Sequence, residues 1–152
     1  MIQVSSRKQS LLHNEVARIQ HFLDGFESTT NGNRRTVRLG KSAEFLIIRN
    51  FPLPDGFCPD YIDILVLTES FPAIPPIGIY VLNNENAALI NQLSAKFNAF
   101  RDRAAHDAPA IQGYTWICYH YANNSWRYRL DNPSRGDNIA KFLGGFFSEL
   151  SK

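Results

Sequence analysis

Three prolines fall within the six residues FPAIPP, Phe71 to Pro76, in the most strand-like part of the chain. Proline fixes φ and has no N–H, so Pro72, Pro75 and Pro76 exclude both helix and interior sheet pairing there. Before them, YIDILVLTESF (61–71) alternates strictly. Tyr61, Asp63, Leu65 and Leu67 point one way, and Ile62, Ile64, Val66 and Thr68 point the other. After them, Ile77 to Leu82 reads as a short strand entered in extended conformation. A link this short holds no crossover helix, so the two strands run antiparallel. Upstream, RRTVRL (34–39) and EFLIIRNF (44–51) are strand-like, and the Ile47-Ile48 pair favours a strand. STTNGN (28–33) and PLPDGFCPD (52–60) read as loops. The sum predicts a four-stranded antiparallel meander.

Helical patterns flank that meander. Leu12, Val16, Ile19 and Leu23 predict a helix over 8–24, ended by Gly25. Leu89, Leu93, Phe97 and Phe100 predict an inserted helix over 86–103, with Asn83 or Asn84 as N-cap and Glu85 in its first turn. YTWICYHY and WRYRL read as further short extended segments. Ile139, Phe142, Leu143, Phe146, Phe147 and Leu150 form the cleanest helical stripe, capped by Asp137 or Asn138. Gly144 and Gly145 weaken that helix by about 1 kcal/mol each relative to alanine, so tertiary packing must hold it. An N-terminal helix, a meander, an inserted helix and a C-terminal helix make an α+β fold. One domain over 1–152 accounts for the length.

Composition excludes several functions. A formal net charge of +2 is weak, and the cluster Arg34, Arg35, Arg38 and Lys41 is too short to imply nucleic acid. It reads as a solvated edge strand. The two cysteines, Cys58 and Cys118, fit no disulfide framework or zinc spacing, and His13, His21, His106 and His120 share no ligand pattern. No metal or cofactor is expected. Phosphate-binding glycine loops and a nucleophile-elbow motif are absent from the sequence. Asp55, Asp60 and Asp63 read as solubilising residues. No run approaches the ~20 apolar residues of a membrane span, and the first residues lack a signal-peptide core. The expectation is a cytoplasmic protein with reduced thiols and no membrane partner.

One segment carries candidate chemistry: GYTWICYHYANNSW, Gly113 to Trp126. An ordinary cysteine is only a few per cent thiolate at neutral pH, and cationic or hydrogen-bonding neighbours raise that fraction. On a strand, Cys118 and His120 share a face, so the imidazole is placed to interact with the thiol. Two readings stand, a nucleophile and a packed core thiol, and residue chemistry alone favours packing. No local cysteine-protease signature accompanies the pair. Cys58, in its proline-rich loop, reads as incidental.

Taken in order, these pieces resemble the ubiquitin-conjugating enzyme superfamily. That family opens with a helix and a four-stranded meander, and a tyrosine-proline…proline-proline motif precedes its last strand. FPAIPP stands in that place, with Phe71 for tyrosine. The family's cysteine follows an isoleucine, with a tryptophan eight residues later and then a helix. Ile117-Cys118, Trp126 and the helix at 138–151 repeat that order. The family's His-Pro-Asn is absent, and Tyr119-His120 follows the cysteine in place of Leu-Asp. Trp116, His120 and Trp126 are similar to the Trp-x-x-x-His…Trp arrangement of a divergent bacterial, prokaryotic family E-like branch. Its members are associated with operons that also encode a ubiquitin-like protein, an activating enzyme and a deubiquitinase, some linked to antiviral defence.

The resemblance implies a thioester carrier. Cys118 would take the C-terminal carboxyl of a ubiquitin-like protein from an adenylating activating enzyme. It would pass it to an amine or hydroxyl of a protein target. His120 would be auxiliary, and Asn124 or a folded-back Asn83 would be the oxyanion donor. The first helix, with Arg18, would receive the activating enzyme. Trp116 and Trp126 would be scaffold. The alternative on the same fold is a catalytically inactive binding module. A thiol hydrolase, needing neither ATP nor an activating enzyme, is a third reading.

Overall fold

A computed structural model describes residues 6–27, 32–41, 43–77, 79–84, 86–101, 108–119, 121 and 125–152, apart from the side chains of 100 and 101. The elements are α1 (Ser6–Asp24), β1 (Thr36–Leu39), β2 (Phe45–Pro52), β3 (Tyr61–Leu67), β4 (Ile79–Leu82), α2 (Ala87–Ser94), β5 (Asn98–Arg101), β6 (Tyr114–Cys118) and α3 (Ile139–Leu150). The fold is α+β, with an N-terminal helix, one antiparallel sheet and a C-terminal helix.

The sheet has six strands in the order β1-β2-β3-β4-β6-β5. Its first four form the expected meander. The expected meander had four strands; β6 falls in YTWICYHY, which the sequence also offered as a short extended segment, and β5 was not expected. β6 pairs with β4 over Ile79↔Ile117 to Leu82↔Tyr114, and β5 pairs with β6 over Asn98↔Cys118 to Arg101↔Thr115. The helix expected over 86–103 is corrected by β5. α2 ends at Ser94, where the Lys96 and Phe97 amides both bond back to the Leu93 carbonyl. β6 needs a partner for its second edge, and residues 98–101 supply it. The extended reading of WRYRL is met by a segment without strand pairing among the described residues.

Alternation along β3 divides the sheet into two faces. Ile62, Ile64 and Val66 join Leu46, Ile48, Ile79, Val81 and Ile117 beneath α1 and α3. Leu65 and Leu67 join Tyr80, Trp116 and Cys118 on the other face. Phe146 of α3 is 1% exposed, and its ring centroid lies 5.9 Å from Phe51, 5.4 Å from Phe97 and 5.5 Å from Tyr119. This aromatic packing is the tertiary support that the glycine-containing helix requires. Gly145 has a steric reason. A Cβ there would lie 2.2 Å from the Tyr119 hydroxyl oxygen.

The start of α3 is tied to α1 by a buried carboxylate. Glu15 is 0% exposed, and its Oε1 accepts from the Ile139 N–H at 2.8 Å. Its Oε2 accepts from Arg18 Nη1. Asn138 is the cap, as one of the two expected candidates; its side chain accepts from the Lys141 N–H at 2.9 Å. Two amides that a helix start leaves without intrahelical partners are thereby satisfied. Burial pushes the Glu15 carboxyl above its ordinary value, while the Ile139 N–H and the Arg18 charge pull it back.

β1 is an edge strand, as expected from its arginines, and Arg34 and Arg38 are exposed. Arg35 departs from that reading. It is 9% exposed and donates to the carbonyls of Asn50 at 2.7 Å and Glu27 at 2.9 Å. Its guanidinium lies over the Phe26 ring at 5.9 Å. The side chain closes the corner between α1 and the sheet instead of meeting solvent. Asp63 is more than a solubilising residue, since it accepts from the Asn50 N–H at 2.9 Å and pairs with Arg49. Asn50 has φ 59° where the β2–β3 register shifts between Ile48 and Phe51, a conformation that asparagine tolerates better than most residues.

Candidate functional site

β6 carries Cys118 to the end of a strand paired on both sides. Its neighbours Ile117 and Tyr119 turn toward the helices and are buried, so Cys118 turns to the opposite face with Trp116 and Tyr114. There it packs with Tyr80 and Ile77 in the second apolar cluster and is half-buried. Burial pushes its thiol pKa up. Desolvation penalises the thiolate relative to the thiol. Cys58 is exposed, as expected for a loop cysteine. Alkylation by iodoacetamide, followed by mass spectrometry across pH, is expected to modify Cys58 first. Cys118, half-buried, should react more slowly. Equal rates at both sulfurs near neutral pH would contradict the burial.

The proline segment is fastened beside the thiol by two indoles. Trp116 is 2% exposed, and its Nε1 donates to the Ile77 carbonyl at 3.0 Å. Trp126 Nε1 donates to the Pro72 carbonyl at 2.9 Å. The two bonds hold the segment at Pro72 and just past its end at Ile77, and a third contact sets the Phe71 ring edge-on to Tyr128 at 5.0 Å. Prolines leave this segment poor in donors. Its carbonyls therefore take their bonds from side chains. Both tryptophans hold structure, in keeping with the scaffold role expected of them.

The remaining sequence candidates are placed as follows. His120, Asn124, His106 and Glu85 lie outside the described residues. The structure does not bring Asn83 to Cys118. Its side chain accepts from Thr115 Oγ1, and its N–H donates to the Gly113 carbonyl. Thr115 is three residues from Cys118 along β6, about 10 Å on an extended strand, and its side chain is on the other face. Asn83 also does not cap α2. Asn86 precedes that helix and donates to the Leu82 and Asn84 carbonyls. Arg18 is bound to buried Glu15, so its charge is largely committed within the fold. His13 and His21 are exposed on the polar side of α1, as expected. Among the described residues no group of three His, Cys, Asp or Glu side chains is placed to hold a metal ion, and no helix is long and apolar enough to cross a membrane.

Among the described residues the site is a partly accessible thiol on an apolar sheet face. Sequence reasoning passed over Glu15, the one carboxylate drawn fully inside among the described residues. Its only sequence signal was a charge at i−3 from Arg18, which is common on solvated helices. No family model, curated protein or solved structure matches the chain.

Proposed function

We propose that the protein carries a ubiquitin-like protein as a thioester on Cys118 and transfers it to a target, in the manner of a divergent bacterial ubiquitin-conjugating enzyme. The observation that supports this most is an order along the chain: α1, the β1–β4 meander with FPAIPP before β4, then Cys118 at a strand end, Trp126 and α3. In the proposed cycle the Cys118 thiolate attacks the thioester held by an adenylating enzyme and expels that enzyme's thiolate. An amine or hydroxyl of the target then attacks the same carbonyl, loses its proton and expels the Cys118 thiolate.

The raised thiol pKa bears on this cycle in a specific way. A less acidic thiol is a poorer leaving group. Its thioester is less labile to water and to the target's nucleophile alike, so the acceptor needs activation. His120 is the proposed auxiliary group for deprotonating the acceptor. The role in antiviral defence rests on the family resemblance alone.

A catalytically inactive binding module on the same fold is the second reading. It is favoured by the apolar surroundings of the thiol and by the missing His-Pro-Asn. One experiment separates the two. Wild type and Cys118→Ala are incubated with ATP and with the adenylating enzyme and ubiquitin-like protein from the gene neighbourhood. The products are run on non-reducing gels. The carrier reading expects an adduct on wild type that thiol reductant removes and that Cys118→Ala lacks. No adduct on wild type would favour the binding module, and turnover of a thioester substrate without ATP would favour the hydrolase.

A further inference from the structure

β1 is one margin of the sheet, and the backbone groups on its outer side are those that a further strand would bond. The register shows which they are. Gly40 donates its N–H inward to the Phe45 carbonyl at the start of β2. Backbone groups alternate in direction along a strand, so those of Thr36 and Arg38 also face β2, and those of Val37 and Leu39 face out.

One side chain of α1 already occupies this outer side. Gln20 donates from Nε2 to the Arg35 carbonyl at 2.9 Å, and its Oε1 accepts from the Val37 N–H at 3.3 Å. In a parallel pair, a residue of the neighbouring strand makes the same two bonds. It donates to the carbonyl before the residue it faces and accepts from the amide after it. The Gln20 carboxamide therefore stands where the backbone of a strand residue opposite Thr36 would stand. A third bond fixes which way the amide is turned, because Nε2 also donates to Asp24 Oδ1 at 2.9 Å. Both of its acceptors require the nitrogen on that side.

We infer that Gln20 guards this edge, holding the groups needed for strand addition so that a second copy of the chain does not pair β1 with β1. Such a pair would run antiparallel about a two-fold axis and would close as a dimer. Centred on Val37, it needs the Val37 N–H that Gln20 holds. It would also set Arg38 of each copy diagonal to Arg34 of the other, and both arginines are exposed. Like charge and the shortness of β1, four residues, are further obstacles to pairing. The inference does not depend on what Cys118 does.

The test removes the charges first, so that Gln20 acts alone. The full-length protein carrying Arg34→Thr and Arg38→Thr should stay monomeric in sedimentation as its concentration is raised. Adding Gln20→Ala to this parent should give a mass that climbs with concentration toward twice the monomer's. Alanine is the best helix former, so α1 keeps its backbone. Gln20→Asn, one methylene too short to reach β1, should act in the same way and serves if the alanine variant fails to fold. Hydrogen exchange read by NMR locates the contact. In the dilute triple variant the Val37 amide should exchange about two- to tenfold faster than in the parent, the effect of losing one hydrogen bond. It should become protected again as the protein is concentrated. Self-association of the parent would overturn the inference, because charge and not the amide would then be the barrier. So would a folded triple variant that stays monomeric, or a dimer that leaves the Val37 amide unprotected. Circular dichroism of each variant establishes that the fold is intact before mass is read.

Discussion

Replacing Glu15 with alanine is expected to destabilise the protein by about 3–5 kcal/mol, the usual result of removing one partner of a buried ion pair. Two groups lose their acceptor together. The Ile139 N–H is left unsatisfied at the start of α3, and the Arg18 guanidinium is left facing the space where its counter-charge stood. Folded domains are stable by only about 5–15 kcal/mol, so the shift in urea midpoint should be large. Glu15→Gln keeps an acceptor for Ile139 and should cost less than Glu15→Ala. A loss under 1 kcal/mol for Glu15→Ala would show that the contact contributes little. The sign with pH also follows. Burial raises the Glu15 carboxyl in the fold, so the folded state holds this proton more tightly than the unfolded chain does. The contribution of this group is fullest below the ordinary carboxyl value and declines as pH rises through the raised one. The stability difference between wild type and Glu15→Gln should therefore narrow, or change sign against wild type, as pH rises across that window.

Phe146→Ala is expected to destabilise by about 3–5 kcal/mol, because it removes a fully buried ring and leaves a cavity. Phe51, Phe97 and Tyr119 all meet that ring, and they come from β2, the approach to β5 and the end of β6. One side chain thus joins the meander to the two added strands through α3. Ser148→Ala, on the exposed side of the same helix, should shift stability by no more than about 0.5 kcal/mol. Equilibrium denaturation of both variants measures the contrast. Equal effects would mean that the aromatic cluster does not hold the helix.

The parts of the fold that the sequence made legible are those whose signal is local. Strict alternation in 61–67 and the stripe from Ile139 to Leu150 each fix a face by their own spacing. Pro72, Pro75 and Pro76 mark a break without reference to anything else. The misread helix over 86–103 shows where locality stops. Phe97 and Phe100 continue the spacing of Leu89 and Leu93, but β6 offers residues 98–101 a full set of strand bonds. An isolated segment carries no trace of that edge. Arg35 was read as solvated because its acceptors, the carbonyls of Asn50 and Glu27, are backbone groups that any residue possesses. The thiol at 118 was visible as a candidate. Its burial depended on which face of a strand not yet paired it would take.

Glu15 and Ile139 are separated by 124 positions. During synthesis at ~5–20 residues per second, the glutamate is incorporated about 6–25 s before the residue whose amide it binds. Through that interval α1 has no α3 to pack against, and the Leu12, Ile19 and Leu23 side of the helix has lost half of its eventual cover. A nascent chain stalled before Ile139 would present this uncovered apolar side to chaperones and proteases. The seam between α1 and α3 is therefore closed by an element made long after the helix it covers.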